Sequence, residues 1–173
     1  MLTDQYIQAI LDYGYSKGAD YVEVYYEETA KNILTVIGER VVNCSYGTDK
    51  GIGVRLFYGK EVIYLHSADC QEKTILNLMK DKIQNLQSSH ENKSYEKSQQ
   101  TMNQINEYEK LPSNWSMDQK MKLVQSAITA GKSVDPRIVQ GKVHYIDQDQ
   151  NVQIANTLGQ NIVTGKQIGR AHV

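Results

Sequence analysis

The 173-residue chain has only two cysteines, Cys44 and Cys70, and they are far apart. That excludes a disulfide framework, a Cys-x-x-Cys redox pair and a cysteine metal knuckle, and it fits a reducing, cytoplasmic setting. Charge of one sign is missing too. Nineteen basic residues against 20 acidic ones leave a net charge of −1, so there is no basic footprint for nucleic acid or for an anionic membrane surface. No apolar run approaches the roughly 18 residues that span a bilayer. The start, MLTDQYIQAI, carries an acid where an export signal would carry basic residues. Phe and Trp occur once each against 12 tyrosines. Tyrosine suits a half-buried sheet face, where the ring packs and the hydroxyl stays wet, so the tyrosines are read as structural.

What is present is a ladder of strands. From Asn32 to Asp69 the chain reads NILTVIGERVVNCSYGTDKGIGVRLFYGKEVIYLHSAD, four β-rich runs separated by Gly38-Glu39-Arg40, Gly47-Thr48-Asp49-Lys50-Gly51 and Gly59-Lys60. Connections this short join only antiparallel neighbours. In the third run Ile52, Val54, Leu56 and Tyr58 share one face, with Gly53, Arg55 and Phe57 on the other. Gly51 and Gly53, flanking Ile52, predict a bulged start to that strand ahead of a ligand contact.

Around this meander the spacing predicts three helices. Thr3 caps one over 4–17, whose stripe is Tyr6, Ile7, Ile10, Leu11 and Gly14 and whose stop is Gly18. Asp69 with Glu72 predicts the second, carrying Ile75, Leu76, Leu78, Met79, Ile83 and Leu86. Ser116 with Gln119 predicts the third over 117–130, with Met121, Val124, Ala127 and Ile128, ending at Gly131. Residues 19–28 alternate as a strand, Val22, Val24 and Tyr26 on one face. Glu23 and Glu27 on the other lie about 13 Å apart at roughly 3.3 Å per residue, beyond the roughly 5 to 9.5 Å of a glycosidase-type carboxylate pair. They are read as a solvated face. Residues 87–114 form a polar surface excursion or linker. After the turn at Asp135-Pro136, two strands over 137–146 and 152–156 are joined by the polar Asp147-Gln148-Asp149-Gln150-Asn151. A hairpin at Thr157-Leu158-Gly159 leads into 160–164. The fold class is therefore α+β, an antiparallel meander sheet with three flanking helices.

The run Ser45-Tyr46-Gly47-Thr48-Asp49-Lys50-Gly51-Ile52-Gly53-Val54-Arg55, preceded by Gly18-Ala19-Asp20-Tyr21-Val22-Glu23-Val24-Tyr25, resembles the amino-terminal half of the TldD/PmbA family. Asp135-Pro136-Arg137-Ile138-Val139-Gln140 and Asn156-Thr157-Leu158-Gly159 extend the resemblance to about Ala19 through Gln160, and the placement of the first of these blocks favours the TldD side. The family implies a zinc-dependent peptidase acting on unfolded or modified peptides, and inactive relatives that pair with it. It also implies an amino-terminal domain over 1–164 and homo- or heterodimers with a family subunit. Residues 165–173 depart from the family pattern and are read as an atypical tail.

The family's zinc site is a His-Glu-x-x-x-His helix with a distant Cys in the carboxy-terminal half. This chain carries only His66, His90, His144 and His172, none near another, and its one His-Glu pair, His90-Glu91, has no second His after it. No Gly-x-Ser-x-Gly elbow, phosphate loop or dinucleotide fingerprint is present, and Cys44 is expected as a small buried apolar residue. The expectation is no catalytic, cofactor-binding or metal-binding residue in this chain, with zinc in carboxy-terminal polypeptide and a peptide as substrate. The alternative is a free-standing peptide-binding or assembly module with no enzymatic activity.

Overall fold

The computed structural model describes residues 1–85, 100–105 and 112–172. In chain order these are α1 (Asp4–Ser16), β1 (Tyr21–Ile37), β2 (Arg40–Tyr58), β3 (Glu61–Ser67), α2 (Glu72–Gln84), β4 (Gln100–Ile105), a 3-10 turn (Pro112–Asn114), α3 (Met117–Ser133), β5 (Lys142–Asn156) and β6 (Gln160–His172). The strands form one mixed sheet in the order β3-β2-β1-β5-β6-β4. The chain divides into two units, residues 1–28, 50–105 and 151–165 in the first, 29–49, 106–150 and 166–173 in the second.

In the first unit, α1 and α2 carry the apolar stripes that cover the sheet. Thr3 Oγ1 accepts the Tyr6 amide at 3.2 Å, and Gly18, at φ 87°, turns the chain out of α1. Ile10, Val22, Val54, Leu56, Ile75 and Met79 are wholly buried in one cluster. Each such side chain contributes about 1.5–3 kcal/mol by leaving water. The alternation read at 22–26 and 52–58 is the observed one: Val22, Val24, Tyr26, Ile52, Val54, Leu56 and Tyr58 all face this core. β2 pairs antiparallel with β3 from Ile52↔Ser67 to Tyr58↔Glu61, residue for residue. No bulge interrupts the β2–β3 ladder at Gly53, and the close approach there is made by a side chain. A Cβ on Gly53 would lie 3.2 Å from the Tyr64 hydroxyl.

Two elements differ from expectation in this region. The segment Gly47-Thr48-Asp49-Lys50-Gly51 is not a turn but part of the 19-residue β2. Its glycines keep φ out of the left-handed region, which only Gly18, Gly38, Gly59 and Gly159 occupy among the described residues. Gly38 and Gly59 stand first in two-residue loops at φ 61°, the placement of glycine in a II′ hairpin. The second helix starts at Glu72 with Gln71 as an N-cap that makes no side-chain cap. Asp69 instead accepts from the Gln71 amide at 3.1 Å and the Thr74 hydroxyl at 2.7 Å, a turn leading into the helix. Leu86 lies outside the described residues.

The second unit is smaller. Leu34 and Val36 of β1, Val124 and Ile128 of α3, and Val143 and Tyr145 of β5 make its core. α3 carries the expected capping box, Ser116 and Gln119 bonding each other's amides, and runs through Gly131 to Ser133. β1 and β5 run antiparallel: Gly38 donates to Gly141 at 2.9 Å, Thr35 meets His144 Nδ1 at 2.8 Å, and Asn32 reaches Asp147 at 2.7 Å. The polar connection expected at 147–151 is strand, because Asp147 is buried and paired. Residues 137–141 are not strand. The turn at Thr157-Leu158-Gly159 is as expected, Asn156 Oδ1 accepting from the amides of Leu158 and Gln160.

Part of the polar excursion is also strand. β4 pairs parallel with β6, Gln100↔Gln160 through Ile105↔Gly165, and the rest of 87–111 lies outside the described residues. β6 continues to His172, past the end expected at 164. No helix among the described residues is long and apolar enough to cross a membrane.

Candidate functional site

The exposed face of the first unit's sheet holds a shallow hollow. Its lining is set by the pleat: Glu23 and Tyr25 project from β1, Gly53 and Arg55 from β2, and Tyr64 from β3, enclosing about 210 Å³. Gly53, lacking a Cβ, lets the Tyr64 ring lie down across β2. The Arg55 guanidinium stands 5.8 Å from the centre of that ring, and His66 stacks on Tyr64 at 5.8 Å with planes 16° apart. Arg55 lies 3.6 Å from the Glu23 carboxylate. With the Arg55 side chain 56% exposed, this ion pair orients more than it stabilises.

Acids beside phenols tune the rim. Tyr21 donates to Glu23 at 3.1 Å and Tyr25 to Glu27 at 2.7 Å. Desolvation, reinforced by the Glu27 carboxylate, pushes the Tyr25 phenol up to about 12. Desolvation and Glu23 raise Tyr21 in the same direction. These phenols stay neutral hydrogen-bond donors. The hollow can therefore hold an aromatic or aliphatic side chain against rings and a carboxylate against Arg55, and it offers no nucleophile with a base.

Metal chemistry does not fit these residues. Zinc needs three or four converging His, Cys, Asp or Glu side chains, and no such cluster of three forms among the described residues. His66 is stacked in the hollow's wall, and His144 bonds Thr35. His90 lies outside the described residues, and nothing is described of the His172 side chain. Cys44 is exposed rather than buried, because β2 is solvated on both faces from Arg40 to Lys50. Its thiol lies 4.0 Å from the Met117 sulfur. Cys70 is half-buried, and desolvation raises its thiol above the ordinary value.

A second polar centre lies within the second unit, where the reading of the residues placed none. Lys120, on the inner side of α3, pairs at 2.7 Å with Asp147 of β5, the two side chains only 5% and 2% exposed. Asn32 donates to the same carboxylate. Burial together with that carboxylate holds the Tyr145 phenol well above its ordinary value. Helical spacing does place Lys120 one turn before Val124, which was the only available signal. The Asp135-Pro136-Arg137 block forms a surface clasp, Arg137 bonding Asp135 at 2.9 and 2.6 Å.

Residues 22–86 match the family described as PmbA/TldA metallopeptidase domain 1. No curated protein matches the chain. Among solved structures, two proteins whose names link them to modulation of DNA gyrase share the fold. One, from Thermotoga maritima, superposes with a TM-score of 0.72 at 14% identity over 97% of this chain and 38% of its own. The other, from Bacteroides thetaiotaomicron, gives 0.72 at 14% over 99% of this chain and 41% of its own. TldE from Thermococcus kodakarensis gives 0.62 at 14%, over 96% and 37%. The chain thus spans roughly two fifths of the length of these proteins. Residues 22–86 thus match the first domain of the PmbA/TldA family, and nearly the whole chain shares its fold with these proteins.

Proposed function

We propose that this chain is the amino-terminal, non-catalytic portion of a TldD-like metal-dependent peptidase acting on unfolded or modified peptides. Its part is to shape substrate access and to pair subunits in a homo- or heterodimer of the family. The observation that carries this reading is the match of residues 22–86 to the first domain of a metallopeptidase family. Zinc and the water it activates belong to carboxy-terminal polypeptide bearing a His-Glu-x-x-x-His helix. The hollow between Tyr25, Arg55 and Tyr64 supports a role in holding a peptide side chain near the surface. Two free thiols are at home in the cytoplasm.

Metal analysis and a cleavage assay test the division of labour. The purified chain is expected to hold no stoichiometric zinc and to leave an unfolded peptide intact. Joined to a family carboxy-terminal half, it is expected to support cleavage that a chelator abolishes. Chelator-sensitive cleavage by the chain alone would overturn the reading.

A further inference from the structure

Two charged side chains in the hollow of the first unit stand side by side without satisfying each other. Arg55 lies 3.6 Å from Glu23 Oε1, beyond the roughly 2.7–2.9 Å of a charge-assisted hydrogen bond. Its other contact is the Tyr64 ring, 5.8 Å away, so among the described residues no acceptor takes the guanidinium N–H groups. Glu23 Oε2 accepts the Tyr21 hydroxyl at 3.1 Å, which leaves Oε1 to face Arg55. The walls are rings with surface still to cover, Tyr64 being 58% and Tyr25 39% exposed. A cross-strand ion pair on a solvated face needs no hollow. This one exists because residue 53 has no side chain: a Cβ there would crowd the Tyr64 hydroxyl at 3.2 Å and its ring at 3.4 Å.

We propose that the hollow binds one amino-acid residue bearing a free α-carboxylate and a large apolar side chain, either the last residue of a peptide or the amino acid itself. A bare anion within reach of Arg55 also meets Glu23 and is repelled by it, which disfavours phosphate and sulfate. An α-amino-acid residue sets an N–H donor one carbon away from its carboxylate. The carboxylate then answers Arg55 through two parallel hydrogen bonds while the N–H answers Glu23. The apolar side chain lies against the Tyr25 and Tyr64 rings. At about 210 Å³ the hollow is smaller than the roughly 300–1,000 Å³ of sites that take drug-sized ligands, and so has room for a single residue. This inference rests on the peptide-holding role proposed for the hollow and narrows it: what is held is a chain end, read by its carboxylate.

Titration of the isotope-labelled chain, followed by its amide resonances, tests this. N-acetyl-phenylalanine and phenylalanine carry the free carboxylate, N-acetyl-phenylalaninamide lacks it, and phenylpropionate keeps it but lacks the α-nitrogen. At least one of the two amino-acid forms is expected to shift the amides of Gly53, Arg55 and Tyr64 saturably. The amide and phenylpropionate are expected to bind more weakly than that form by about tenfold or more, the size of a lost charged hydrogen bond. Arg55→Gln, at a side chain 56% exposed, is expected to remove the preference for acid over amide with the unfolding midpoint unchanged. The N-acetyl acid binding as tightly as phenylalanine, or more tightly, upholds the proposal with a peptide end as the source. Tighter binding of phenylalanine upholds it with the free amino acid as the source. No saturable shift with either acid up to about 10 mM overturns it. Equal binding of the amide or of phenylpropionate does so too, as does an acid preference that survives Arg55→Gln. None of these results alters the zinc and cleavage assays that decide the peptidase reading, so the two fail separately.

Discussion

Lys120 stands on a helix face otherwise made of Val124 and Ile128, and it stays there because Asp147 is opposite. Removing one partner leaves the other buried and uncompensated, which costs about 3–5 kcal/mol, whereas removing both for apolar residues of similar volume is often nearly neutral. Asn32 complicates the second case, since it donates to Asp147 and would lose its acceptor. Lys120→Met is therefore expected to destabilise the chain by about 3 kcal/mol or more in denaturant unfolding. Lys120→Met with Asp147→Leu is expected to recover part of that loss and not all of it. A single variant costing less than about 1 kcal/mol, the range of an exposed pair, would show the pair to be solvated. This pair also explains a misreading. Polar residues at 147–151 look like a connection only while their partner, on α3, is unknown.

At the scale of elements, Gly14 shows how close α1 lies to the sheet. A Cβ there would stand 2.8 Å from Val22 Cγ2 and 2.9 Å from Leu56 Cδ2, both on fully buried side chains that cannot swing aside. Alanine is the better helix former by about 1 kcal/mol, but overpacking of this kind costs about 1–3 kcal/mol. Gly14→Ala is expected to lower the unfolding midpoint, and a raised midpoint would mean that α1 lifts freely from β1 and β2. Much of this layer was legible from the sequence. Period-two alternation located the covered faces of β1 and β2, Thr3 and the Ser116–Gln119 box located helix starts, and the glycines before Glu39 and Lys60 located hairpins. The errors have a common physical cause. Gly47 to Gly51 and Asp69 carry turn-forming residue types, yet glycine permits φ > 0 without requiring it, and an aspartate before a helix can bond a turn instead of capping. The hollow was half legible: alternation put Glu23, Tyr25, Gly53 and Arg55 on one face, while the arrival of Tyr64 depended on the β2–β3 register.

For the whole molecule, the two units differ in how much apolar surface each removes from water. The first buries sixteen side chains in one cluster and the second six, counted among the described residues. Burial is the dominant favourable term, so the second unit has less free energy opposing local opening, and its Lys120–Asp147 pair adds specificity more than net stability. β1 and β5 each contribute to both cores, which makes them internal rulers: the same strand carries Val22 and Val24 into the larger core and Leu34 and Val36 into the smaller one. Native-state hydrogen exchange reads opening free energies along such a strand. Amides at 34–36 and 143–145 are expected to exchange through an opening of lower free energy than those at 22–26 and 54–56. Each tenfold difference in exchange corresponds to about 1.4 kcal/mol. Equal protection along β1 would mean that the smaller cluster opens only when the larger one does, and that its six side chains are not a separate source of stability.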